Sequence, residues 1–112
     1  MMIEVELRTN LASKLDCPVV LEQSPNMPST FVLMMKTGSS KTDKLNSATF
    51  AFQSYGKTMY EASLLNEKVK EAVEELIKLN IVSQVKLNSD YAFNDTETKR
   101  YRYQAVFDIH HY

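Results

Sequence analysis

The sequence predicts an α+β domain. One mostly antiparallel β-sheet carries two α-helices packed on one face, in the chain order α-β-β-β-α-β-β. Three observations lead there. Two segments repeat apolar residues at helical spacing, and several others alternate apolar and polar residues with period two. The alternating runs are separated by short turns, which join antiparallel strands but are too short for parallel crossovers. Both helices have one apolar stripe and need a sheet face to bury it.

In "MIEVELRTNLASKLD", Ile3, Leu7, Leu11 and Leu15 recur every four residues, with Ala12 beside them, as one face of a helix. Pro18 ends that helix and pushes Cys17 toward extended geometry. "PVVLE" is apolar and β-branched, a short strand, and "QSPNMPS" is a loop carrying Pro25 and Pro28. In "TFVLMMKT", Phe31, Leu33 and Met35 share one face, while Val32 and Met34 share the other. The stretch that follows, Gly38 to Lys44, holds no large apolar residue and is expected to be an exposed, mobile loop. "LNSATFAFQSY" sets Ala48, Phe50 and Phe52 against Ser47, Thr49, Ala51 and Gln53, a half-buried strand pairing antiparallel with the one before.

Gly56 breaks that strand. Thr58 is placed to cap the next helix, and Glu61 completes a capping box. The helix runs through "MYEASLLNEKVKEAVEELIKL", with Met59, Ala62, Leu65, Val69, Ala72, Val73 and Leu76 as its buried stripe and Asn80 as its C-terminal cap. Then "IVSQVKLNSDYAF" alternates, with Val85 and Leu87 on one face and Tyr91 and Phe93 continuing it. "NDTE" is a turn. "TKRYRYQAVFDI" sets Tyr101, Tyr103, Ala105, Phe107 and Ile109, expected in the core, against Arg100, Arg102, Gln104, Val106 and Asp108, expected outside.

Composition narrows the function. The 112 residues suit a single domain, residues 1–112, with no internal repeat or linker. Thirteen basic and fourteen acidic residues give a net charge of −1, which argues against a general nucleic-acid binder. One cysteine precludes an internal disulfide and fits a reducing compartment. No apolar run approaches the roughly 18 residues that span a bilayer, and "MMIEVELRTN" lacks a signal-peptide core, so no membrane or secretory role is expected.

No set of residues adds up to a catalytic or cofactor site. His110 and His111 are adjacent and diverge on a strand, and no third soft ligand is at hand for zinc. Cys17 follows a helix C-terminus, the wrong end to activate a thiol, and reads as a small buried residue. Ser39 and Ser40 have no nucleophile-elbow setting, and Glu74 and Glu75 sit on a helix surface. Two glycines cannot build a phosphate loop. The expectation is therefore no enzyme, no metal and no cofactor. Alternating cations and aromatics in "KRYRYQAVF" leave a single-stranded nucleic-acid-binding module as the alternative, although glycines between the aromatics are missing. The residues expected to touch copies or partners are Gly38, Ser39, Ser40, Lys41, Thr42, Asp43 and Lys44 of the polar loop, with Arg100, Arg102 and Gln104 of the last strand.

"SATFAFQSYG", "YEASLLNEKVKEAVEEL" and "KLNSDYAFNDTETKRYRYQAVFDI" together resemble the tail-completion, or tail-terminator, proteins of long-tailed phages and prophages of Gram-positive bacteria. The resemblance is one of length and element order from the first helix to Ile109, without a catalytic signature. It implies a structural protein that caps the head-proximal end of the tail tube and docks it to the head connector. It also implies a homo-oligomeric, typically hexameric ring, with tail-tube and head-connector proteins as partners. The implied location is the virion neck, assembled in the host bacterial cytoplasm.

Overall fold

The computed structural model describes residues 3–42, 45–97 and 99–112, without the side chain of Thr42. Among these residues the chain order is α1 (Ile3–Lys14), β1 (Val19–Val20), β2 (Phe31–Thr42), β3 (Leu45–Gly56), α2 (Met59–Glu74), a 3₁₀ turn (Glu75–Lys78), β4 (Val82–Ala92) and β5 (Tyr101–His111). The five strands form one sheet in the order β1-β2-β3-β5-β4. Every pairing is antiparallel except the short one between β1 and β2.

Both helices lie on the same face. Leu7 and Leu11 of α1 and Leu65, Val69 and Val73 of α2 meet Val32, Met34, Phe50, Phe52, Phe107 and Ile109 in one buried cluster. Ile3 and Leu15 complete the α1 stripe from its margins. The period-two split of β2, β3 and β5 therefore holds. Thr58 caps α2 by accepting a hydrogen bond from the Glu61 amide, 3.1 Å. The Glu61 carboxylate returns to the amide of Lys57, one residue before the cap, at 3.2 Å. The α-helix closes at Glu74 and tightens into the 3₁₀ turn, short of the full span its periodicity predicts.

Three expectations are corrected. Gly38 to Thr42 is not a loop: it is the distal half of β2, paired with residues from Thr49 back to Leu45. A polar stretch on an exposed hairpin has the same composition as a loop; Asp43 and Lys44 lie outside the described residues. Tyr91 and Phe93 do not share a face with Val85 and Leu87. A register shift between Leu87 and Ser89 sets Leu87 opposite Phe107 but Tyr91 opposite Gln104, which moves the later residues to the face away from the helices. Tyr101 is not core. It pairs with Gly56 at the end of the sheet, before α2 begins, and is 42% exposed.

A second anchor ties α2 to the edge strand β4. Asn66, buried in the helix, donates to Asp90 at 2.7 Å, and Lys70 reaches the other Asp90 oxygen at 2.6 Å and Glu67 at 2.9 Å. At the other end of the helix, a Cβ on Gly56 would sit 2.5 Å from the Ala62 amide nitrogen. The absent side chain is what lets β3 run under the first turn of α2.

Gly56→Ala is expected to lower stability by roughly 1–3 kcal/mol, since backbone on the helix side cannot yield as a side-chain tip would. A fall in the urea midpoint at unchanged slope would show it. The Asp90 clasp carries a pH signature. Hydrogen bonds to Asp90 and then Glu67 raise the Lys70 pKa above its ordinary 10.5. A folded value above the unfolded one means the contribution is fully present below the unfolded pKa and is lost as pH rises through the folded one. Asp90→Asn should therefore cost under about 1 kcal/mol near neutrality. The gap in melting temperature between it and the natural chain should narrow as the pH rises past 10.5, the ordinary lysine value.

Candidate functional site

The face away from the helices carries the residues with chemistry. Three rows cross it at one end of the sheet. Phe31, Tyr55 and Arg102 form the first, Leu33, Gln53, Gln104 and Tyr91 the second, and Met35, Ala51 and Val106 the third. Phe31 stacks on Tyr55 with ring centroids 4.3 Å apart. The loop of residues 21–30 folds over this corner, so that Met27 and Val20 pack against Phe31, Leu33 and Tyr55 as a second small core.

The Tyr55 hydroxyl is the node of the polar contacts. It accepts from Gln23 Nε2 and from Arg102 Nη1, each at 2.8 Å, and it lies 3.5 Å from Gln53 Oε1, to which it donates. Gln53 donates to Gln104 Oε1 at 2.7 Å, and Gln104 donates to the Tyr91 hydroxyl. The chain of hydrogen bonds spans three strands. A parallel ladder below it joins Thr49 to Asp108 at 2.8 Å and Asn88 to the same carboxylate at 3.1 Å. Buried amides in such a ladder are satisfied side to side and keep little capacity for a further ligand.

Both arginines are tethered inside the chain. Arg102 lies over the Phe93 ring at 4.5 Å and near the Tyr55 ring at 5.7 Å, donates to the Phe93 carbonyl, and sits 3.7 Å from Asp95. Its side chain is only 15% exposed. Arg100 lies 5.6 Å from the Phe31 ring and donates to the carbonyls of Pro28 and Met27 at 3.1 and 3.4 Å. Gln104 is 9% exposed. The expected outward basic face is thus largely turned to holding the 21–30 loop and the β4–β5 turn in place. Arg–aromatic stacking of this kind contributes more when shielded from water.

The remaining contact residues lie elsewhere. Gly38, Ser39, Ser40 and Lys41 are exposed on the hairpin, and Thr42 pairs with Leu45. Nine positions of β3 separate Tyr55, beside Arg102, from Asn46, beside Lys41. At about 3.3 Å per residue the two groups stand roughly 30 Å apart. They do not form one site.

The other candidates resolve simply. His110 pairs with Ser47 and Gln84, His111 with Asn46 and Val82, on opposite faces. Cys17 is half-buried beside a cavity of about 300 Å³ with Asp16, Thr30, Glu61 and Lys68. Burial first and Asp16 second push its thiol pKa up, against the weaker pull of Lys68, so the thiol stays protonated at neutral pH. Among the described residues no three His, Cys, Asp or Glu side chains converge as metal ligands, and no helix is long and apolar enough to cross a membrane. Sequence reasoning missed Tyr55, Gln53 and Gln23 as a network. The available signal was two glutamines on apolar strands, at positions that pairing sets side by side.

No family model matches this chain, and no curated protein matches it.

Removing the node tests the network. Tyr55→Phe keeps the stacking on Phe31 but strands Gln23, Gln53 and Arg102 around a lost hydroxyl. It should cost about 1–3 kcal/mol in chemical denaturation, with greater proteolytic nicking of the 21–30 loop.

Proposed function

We propose that this chain is a structural assembly protein of a phage tail, one that caps the head-proximal end of the tail tube as a ring of its own copies and docks to the head connector. The observation that supports the reading is the pair of open edges on the sheet. Among the described residues, β1 pairs only with Val32 and Leu33, so β2 from Met34 onward has a neighbour on one side alone; β4 has only β5. The two edges face opposite ways, and β4 runs antiparallel to β2, as three successive antiparallel pairings require.

A copy rotated to set its β2 beside β4 continues the antiparallel pattern. A contact between two different edges is heterologous, and it closes into a ring when the rotation per step divides a full turn. The register shifts on β2 and β4 add bend and twist at both edges, which favours a curved, closing assembly over an open stack. The tethering of Arg100 and Arg102, together with the net charge of −1, weighs against the nucleic-acid alternative.

Native mass spectrometry across a concentration series, with negative-stain imaging, should show closed rings, either alone or on addition of the cognate tail-tube protein. A chain that stays monomeric and leaves tube ends uncapped in the same images overturns the reading.

A further inference from the structure

Residues 21–30 cross the far face as a strap between β1 and β2. We propose that this strap is a latch. It opens as a unit while the sheet and helices stay folded, and Arg100 is the catch that holds it shut. The inference does not rest on ring formation.

Four observations carry it. First, little binds the strap. Among the described residues no backbone hydrogen bond joins 21–30 to the rest of the chain, and Pro25 and Pro28 have no N–H to offer. Among the same residues, its polar tethers are the bond from Gln23 to the Tyr55 hydroxyl and those from the Arg100 guanidinium to the Pro28 and Met27 carbonyls. Ser24 donates only within the strap, to Met27 Sδ at 3.3 Å. Second, the strap covers a small core of its own. Phe31, Leu33 and Tyr55 form a cluster separate from the one under the helices, so opening leaves the main core covered. Third, the ends of the strap are fixed without it. Val19 and Val32 pair with each other and are buried in the main cluster, and Arg8 donates to the Val19 carbonyl at 3.0 Å. A loop whose ends are already held loses little entropy on closing again. Fourth, the catch belongs to another element. Arg100 immediately precedes β5 and lies 5.6 Å from the Phe31 ring, so it grips the strap from outside.

Few backbone bonds and a small separate core are the conditions for local opening well below the cost of global unfolding. Closed, the strap shields an apolar corner next to the free edge of β2. Open, it would leave Phe31, Leu33 and Tyr55 beside unpaired strand, a surface prone to unselective association. The latch therefore controls when that corner is presented.

Thiol labelling of the full chain tests this. In a Cys17→Ser background, Leu33→Cys puts a thiol beneath the strap, and Met34→Cys puts one on the opposite face, in the main core. Labelling at position 33 should be many-fold faster than at position 34, yet far slower than in an unfolded peptide. Its urea dependence should be shallow, whereas position 34 should follow the steep dependence of global unfolding. Arg100→Gln should speed labelling at position 33 about tenfold, the loss of charge-assisted hydrogen bonds. Equal rates and urea slopes at the two positions, labelling at position 33 as fast as in an unfolded peptide, or no response to Arg100→Gln overturns the proposal. Thermolysin digestion of the natural chain makes the same test without a substitution. Cleavage within 21–30 should occur in water and leave the rest folded by circular dichroism; cleavage there only at urea concentrations that unfold the whole chain also overturns it.

Discussion

The structure depends on the unbroken pairing of β3 with β5. Eleven successive residue pairs, from Asn46 with His111 to Gly56 with Tyr101, run without a register shift. Because parity is preserved along the whole length, one face receives Ala48, Phe50, Phe52, Ala105, Phe107 and Ile109 and the other receives Thr49, Ala51, Gln53, Gln104 and Asp108. A slip of one residue would put the glutamines under α2 and the phenylalanines in water. Size also alternates across the pair: Phe52 lies opposite Ala105, and its ring meets Phe107 edge-on at 5.9 Å. The helices dock on this relief, and Gly56 sets how closely the first turn of α2 can approach it.

Irregularity is confined to the outer strands. β2 shifts register between Lys36 and Gly38, and β4 shifts twice, between Val82 and Gln84 and between Leu87 and Ser89. Each shift breaks the ladder where only one neighbour must accommodate it, so the cost stays local. The second shift in β4 has the widest effect. It turns Tyr91 and Phe93 to the far face, where Tyr91 ends the glutamine ladder and Phe93 receives the Arg102 guanidinium. Without it the far face would lose its aromatic border and Arg102 its platform.

These facts explain what could be read in advance. The two helical stripes and the split faces of β2, β3 and β5 were legible because burial on one side imposes a period, and Phe50, Val69 or Ile109 reports it directly. The bulge at Asn88 was not legible. It is a backbone event at a residue that is neither glycine nor proline, and strict alternation carried through it assigns Tyr91 to the wrong face. Gly38 to Thr42 misled for another reason: an exposed strand end needs no apolar residues, so composition could not separate it from a loop. The fate of Arg100 and Arg102 was half legible. Period two assigned their face, but not that residues 21–30, some seventy positions earlier, fold over that face and offer carbonyls.

The far face is a poor place for a broad docking interface, for a reason internal to the chain. Gln53, Gln104, Tyr55, Asp108 and Thr49 already hydrogen-bond one another, so covering them with a partner would remove water without forming new bonds of equal quality. The strand edges differ. Their outward amides and carbonyls exchange water for equivalent partners when another strand arrives, and the flanking side chains add area to the contact. The two ends of the sheet differ again: the described residues of the hairpin end are mostly polar and uncharged, while the opposite end gathers Lys57, Lys99 and Arg100 around one cavity. Association is therefore directed to edges and ends. The same satisfied ladder that holds the far corner together keeps that face from competing with them.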